Sequence, residues 1–154
     1  MMNSTIREQK INEYLAEARG YLEEGNYNKF FMTIGLAKYI SDEADVKLKV
    51  LDLLAEGLYN VGDYQEAYQV NEEGLDLELS KEVRIKLLKR KGWILLCQDK
   101  IEEAILSFKR VVTLDTDNID HLNNLIICYI KLYKKYSKKE YLEQGIDYCL
   151  QGID

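Results

Sequence analysis

The chain repeats itself at an interval of 37 residues, and that interval constrains its architecture more than any other feature. Tyr27, Phe30, Ile34 and Ala37 recur as Tyr64, Ala67, Asn71 and Gly74, then as Ile101, Ala104, Phe108 and Val111. A second set precedes each of these with the same step. Tyr14, Ala18 and Tyr21 become Leu51, Ala55 and Leu58, and then Leu88, Gly92 and Leu95. Gly25, Gly62 and Asp99 stand between the two sets. Self-similarity at such a period marks a repeat architecture, in which one unit cannot bury its own apolar face and stacked neighbours complete it.

Each unit reads as two helices. Spacings of three and four put the recurring residues on one helical face, and the absence of proline fits a largely helical chain. Start signals agree. Thr5-Ile6-Arg7-Glu8, Asp63-Tyr64-Gln65-Glu66 and Asp99-Lys100-Ile101-Glu102 have a capping side chain followed three residues later by Glu, so that two orphan backbone N–H groups can be satisfied reciprocally. Ser41 and Ser80 stand where the second and third units open, and Gly25 and Gly62 sit where a helix would end in a left-handed residue. Small residues at Ala18, Ala55 and Gly92, and at Ala67 and Ala104, are expected where two helices approach closely. Phe30 departs from that pattern, which predicts a more open first hairpin.

A fourth unit is present with a different step. Leu122, Ile126 and Tyr129 continue the first-helix positions 34 residues after the third unit, whereas Leu142, Gly145, Cys149 and Gly152 continue the second-helix positions after 41. The difference is an insertion around Tyr133 to Lys139, in a run holding Lys131, Lys134, Lys135, Lys138 and Lys139. It is either a longer loop or a helix extended by about two turns. Ser137-Lys138-Lys139-Glu140 reads as a fresh capping box for the last helix.

These residues resemble the tetratricopeptide repeat (TPR), a helix–turn–helix unit of ~34 residues. Gly62-Asp63-Tyr64-Gln65-Glu66-Ala67 looks like that family's turn and the start of its second helix, and Ala104 to Val111 resembles the second helix itself. The likeness covers roughly residues 10 to 154; the usual closing proline is absent and the step is longer. It implies an all-α fold: a single domain over 1–154, a right-handed superhelical array of about four antiparallel hairpins at about 10–43, 44–80, 81–117 and 118–154. The basic insertion lies between the helices of the fourth.

The resemblance further implies a concave wall built from the first helix of each hairpin. Carried over by position, the wall residues are Asn12 and Arg19 in the first unit and Lys49, Asp52, Glu56, Tyr59 and Asn60 in the second. The third supplies Lys86, Lys89, Trp93 and Leu96, and the fourth Asn123, Ile127 and Ile130. Some members of the family grip a partner's terminal carboxylate with a clamp of Lys, Asn and Arg. Lys86 and Arg90 fit two later clamp positions, but Leu15 and Leu53 do not fit the earlier ones. Trp93 is either a partly covered packing residue or an anchor for a bound peptide.

No phosphate-binding glycine loop, no paired-histidine or paired-cysteine metal motif and no nucleophile elbow occurs in the sequence, so no catalytic, cofactor or metal residues are assigned. The only histidine, His121, is expected on the solvent side or at a helix cap. Cys97, Cys128 and Cys149 are odd in number and sit in apolar stretches, which predicts buried free thiols in a reducing compartment. No apolar run approaches the ~18 residues of a membrane span, and no leader opens the chain, so the expected setting is the cytoplasm. The balance of 21 basic to 27 acidic residues is a poor footprint for a nucleic-acid binder. Its sign is uneven: Met1 to Ser80 holds 7 basic and 16 acidic residues, Lys81 to Asp154 14 and 11. The expected function is a non-enzymatic module that binds a partner peptide or helix in the groove. Two alternatives stand beside it. One is a self-associating subunit, dimerising through a C-terminal apolar strip of Leu142, Ile146, Leu150 and Ile153. The other is a small chaperone for secreted substrates.

Overall fold

Every recurring apolar set falls on a helix. The computed structural model describes residues 4–41, 43–77 and 79–152. Among them are eight helices and no strand: α1 (Ser4–Glu23), α2 (Tyr27–Ile40), α3 (Ala44–Asn60), α4 (Tyr64–Leu75), α5 (Lys81–Cys97), α6 (Ile101–Leu114), α7 (Ile119–Tyr136) and α8 (Lys139–Gln151). They form two compact units, Met1–Glu78 and Leu79–Asp154. In the first, α1 packs on α2, α3 on α4, and α3 also lies against both α1 and α2. Ile11, Ala18, Phe30, Ile34 and Val50 are the centre of its core. In the second, α5 pairs with α6, α7 with α8, and α6 packs on α7, burying Leu87, Ile94, Leu95, Phe108, Leu125 and Leu132 to 2% exposure or less.

The hairpin turns explain the register. Gly25, Gly62 and Asp99 all have positive φ, at 70°, 82° and 58°. In each turn this residue donates its N–H to the carbonyl three residues back, and the next residue donates to the carbonyl five back: Gly25 to Leu22 and Asn26 to Tyr21, Gly62 to Tyr59 and Asp63 to Leu58, Asp99 to Leu96 and Lys100 to Leu95. This left-handed closure satisfies carbonyls that the helix end leaves open. The second helix begins two residues later each time. Asn26 and Asp63 then cap it, their side chains accepting from the N–H groups of Lys29 and Glu66 at 3.3 Å.

Several start signals act differently from the sequence reading. Ser80 caps α5 through the N–H of Val83, as expected. Ser41 instead ends α2, its hydroxyl donating to the Lys38 carbonyl at 3.0 Å. Thr5 lies inside α1. Asp99 occupies the left-handed position and so cannot cap α6; its carboxylate accepts from Lys135 Nζ at 2.6 Å. Ser137 is likewise left-handed, with φ 55°, and the α8 cap position falls to Lys138.

Phe30 does not open the first hairpin: α1 packs on α2 as closely as α5 on α6, and the ring lies against α3, where a glycine makes room for it. The ring is fully buried, and a Cβ placed on Gly57 of α3 would come within 2.1 Å of it. Gly92 does the same within the α5–α6 hairpin, where an added Cβ would lie 2.4 Å from the Phe108 ring. The close approach in both places is aromatic ring against backbone.

The basic run of the fourth unit is helical for most of its length. Lys131, Lys134 and Lys135 belong to α7, Lys139 opens α8, and only Ser137 and Lys138 connect them. No long loop separates the two helices. His121 is not on the solvent side: it is 3% exposed, with Nε2 2.9 Å from Asp115 Oδ2, and ties the first turn of α7 to the residue that ends α6. The 34-residue step puts it in register with Leu87, a core residue at 1% exposure. Only one cysteine is buried. Cys97 and Cys149 are exposed, because their positions fall on outward faces of α5 and α8, while Cys128 is enclosed. Burial pushes the Cys128 thiol up to about 12 against the opposing pull of Lys131, which keeps it protonated and unreactive through neutral pH.

Two predictions follow from this packing. Gly57→Ala and Gly92→Ala each lower stability by about 1–3 kcal/mol through overpacking. Gly20→Ala and Gly35→Ala, where nothing lies within 4 Å of the added carbon, raise it by about 0.5–1 kcal/mol; urea midpoints measure all four. With a thiol-reactive disulfide reagent, Cys97 and Cys149 titrate in the folded protein. Cys128 titrates only in denaturant, even when the pH is raised to about 9.

Candidate interaction surface

All but one of the residues assigned to the wall are exposed or half-buried. In the first unit Asn12, Lys49 and Asn60 are exposed, and Arg19, Asp52, Glu56 and Tyr59 are half-buried. On α3 the spacing of Lys49, Asp52, Glu56, Tyr59 and Asn60 keeps them within a single helical face. Arg19 and Glu56 hold the same place in successive repeats, 37 residues apart, and meet: Arg19 Nη1 donates to Glu56 Oε1 at 2.8 Å. This part-exposed ion pair bridges α1 to α3. At that exposure such a pair contributes about 0–1 kcal/mol, so it positions the two side chains more than it stabilises the fold. The Tyr59 ring is set beside Tyr64 at 5.7 Å between centroids.

In the second unit Lys86 is exposed and Lys89 and Trp93 are half-buried on α5, while Asn123, Ile127 and Ile130 are exposed on α7. Leu96 departs from its assignment. At 8% exposure it belongs to the core, since it faces the hairpin partner where its counterpart Tyr59 reaches outward. Trp93 meets Phe108 edge to face, with centroids 5.6 Å apart and planes at 71°. The same Phe108 ring fills the gap left by Gly92, so the indole is propped from below by a fully buried side chain. Arginine, glutamate and tryptophan thus occupy one repeat position at 19, 56 and 93.

The carboxylate clamp does not form. Leu53 is buried at 4% and Leu15 packs against the core of the first unit, so the earlier clamp positions are spent on packing. The sequence reading missed Cys97, which stands at the position of Asn60 and is exposed beside the α5 wall residues; the 37-residue step is the signal that finds it. α5 is strongly basic, with Lys81, Arg84, Lys86, Lys89, Arg90 and Lys91 against Glu82 alone. Among the described residues no three His, Cys, Asp or Glu side chains converge as metal ligands would, and no helix is long and apolar enough to cross a membrane.

No protein-family model and no curated protein sequence matches the chain significantly. Solved structures do. The C-terminal TPR-containing domain of a Plasmodium falciparum FK506-binding protein superposes with a TM-score of 0.71 at 17% identity, over 89% of this chain and 97% of that one. A double mutant of MamA from strain RS-1 gives 0.74 at 22%, over 94% and 74%. YrrB, described as a TPR protein with an unusual peptide-binding site, gives 0.66 at 18%, over 90% and 68%. At these identities the likeness is one of fold, and the fold is that of the tetratricopeptide-repeat proteins.

Proposed function

We propose that the chain is a non-enzymatic protein-interaction module of the cytoplasm, holding a partner's peptide or helix against the exposed face of its first helices. Arg19, Lys49, Asp52, Glu56, Tyr59 and Asn60 supply contacts in the first unit; Lys86, Lys89, Trp93, Asn123 and Ile127 do so in the second. The observation that carries this reading is Trp93. A tryptophan propped against Phe108 yet half open offers a large contact area while losing little side-chain freedom on binding. The lysines around it add orientation and charge selection more than affinity. That one of the similar structures is described as a peptide-binding TPR protein supports the same reading.

The test uses the two second-unit residues. Partners captured from lysate are identified and their segments titrated against the protein by isothermal calorimetry, which reads a variant lacking the single tryptophan as well as it reads the wild type. Trp93→Ala weakens binding by about 30-fold or more, as an interface anchor does on truncation. Lys89→Glu reduces it with a salt-dependent loss. An unchanged set of partners bound in unchanged amounts by both variants overturns the assignment.

A further inference from the structure

Two apolar stripes lie apart from that face. On α2, Met32, Leu36 and Tyr39 are 73%, 52% and 87% exposed. At the same repeat positions stand Gln69 and Glu73 of α4 with its cap residue Asp76, and Leu106, Arg110 and Thr113 of α6. Only Leu106 among these is apolar, so α2 is the one helix of the three with an apolar residue at every position of the set. Beside Leu36 and Tyr39 a cleft of about 280 Å³ opens between α1 and α2, its α1 wall running from Ile6 to Tyr14, with no lining residue from α3. That volume is small for an organic ligand but suits a row of inserted side chains.

The second stripe is on α8, where Leu142, Ile146 and Leu150 are 39%, 49% and 57% exposed. Leu142 and Ile146 hold the repeat positions of Ile101 and Ile105, which are only 3% and 7% exposed on α6, a helix packed against both α5 and α7. Two of the three stripe residues thus stand at core positions of the repeat, while Leu150 takes the place of the exposed Lys109. Ile153, assigned to the same strip, lies outside the described residues.

We propose that α8 of one copy of this chain docks its Leu142–Ile146–Leu150 stripe into the α1–α2 cleft of a second copy. Lengths match: the stripe from Leu142 to Leu150 and the α1 wall from Ile6 to Tyr14 each cover eight helical steps, about 12 Å. Charges match as well. In the cleft itself Lys10 is paired with Glu13 at 2.8 Å, so the match comes from α2, which carries Lys29 and Lys38 and no acidic residue, whereas α8 carries Glu140, Glu143 and Asp147 against Lys139. Opposite charge around an apolar contact fixes its orientation and speeds encounter. The two surfaces differ, so the contact is heterologous. Each copy that joins leaves one cleft and one stripe open, and the assembly grows head to tail instead of stopping at a symmetric dimer.

Analytical ultracentrifugation over a wide dilution series tests this with Leu36→Glu, which disables the cleft, and Ile146→Glu, which disables the stripe. Both positions are exposed, and circular dichroism verifies that each variant keeps its helices. The wild-type mass rises with concentration beyond twice that of one chain. Each variant alone stays a monomer, because every contact needs both surfaces. An equimolar mixture gives a dimer of twice the chain mass that grows no further, since one variant keeps a working stripe and the other a working cleft. A monomeric wild type at all concentrations overturns the proposal. So does a mixture that remains monomeric, or association that Ile146→Glu abolishes and Leu36→Glu leaves intact, which is the signature of an α8-to-α8 contact.

Discussion

A single left-handed residue at the end of each first helix governs the rest of the structure. Once Gly25, Gly62 or Asp99 takes positive φ, the two backbone bonds around it close the helix and send the chain back in the opposite direction. The second helix then starts at a fixed distance, at Tyr27, Tyr64 and Ile101. Because the turn is made mainly by backbone, side chains elsewhere are free to vary without altering the phase between the two helices. That phase is what lets Ala18, Ala55 and Gly92 fall at equivalent places, and it is why a 37-residue step survives with few identical residues. Asp99 is informative, since a non-glycine costs roughly 1–2 kcal/mol in this conformation. Its carboxylate engages Lys135 of α7, tying the turn of one hairpin to the end of the next helix.

Packing within each unit balances volume instead of repeating it. Phe30 puts a ring where the corresponding residues of α4 and α6 are Ala67 and Ala104, and Gly57 yields the space. Phe108 stands where α2 has Ile34, and Gly92 yields in turn. Close-packed interiors respond to a change of one methylene, so a large residue in one helix requires a small one opposite. The first hairpin consequently closes as the others do.

Much of this was legible in the sequence, and the reason is periodicity. Helix phase, hairpin turns and the caps at Asp63 and Ser80 follow from spacing and from local backbone chemistry, which need no knowledge of neighbours. What escaped depends on tertiary partners. Gly57 looked like one more helical glycine until Phe30 lay against it, and Leu96 shared a face with Trp93 by angle yet turned inward. His121 read as polar, whereas the column it shares with Leu87 made it a core position with Asp115 as its partner. Cys97 and Cys149 sat in apolar runs, but a run of apolar residues long enough to circle a helix must place some of them outside. In the fourth unit the spacing left both helix and loop open for the Lys-rich run, since either is consistent with that composition; packing along α7, through Leu125, Cys128 and Leu132, carries the helix on to Tyr136.

The same geometry separates what must be kept from what can change. Positions 18, 55 and 92 face a neighbouring helix, and only small residues occur there. Positions 19, 56 and 93 are each one residue further on, rotated by about 100° on the helix, and they hold Arg, Glu and Trp. One step along the chain thus moves from a place that admits only small side chains to one that admits the Arg19–Glu56 ion pair and the Trp93 ring against Phe108. Chemistry that varies so widely on an otherwise regular frame is not needed to form the hairpin, since Arg, Glu and Trp are all tolerated by the same turn and the same helix pair. These three positions carry the variable chemistry of the repeat, and Trp93, the bulkiest of the three, stays half open although its ring rests on Phe108.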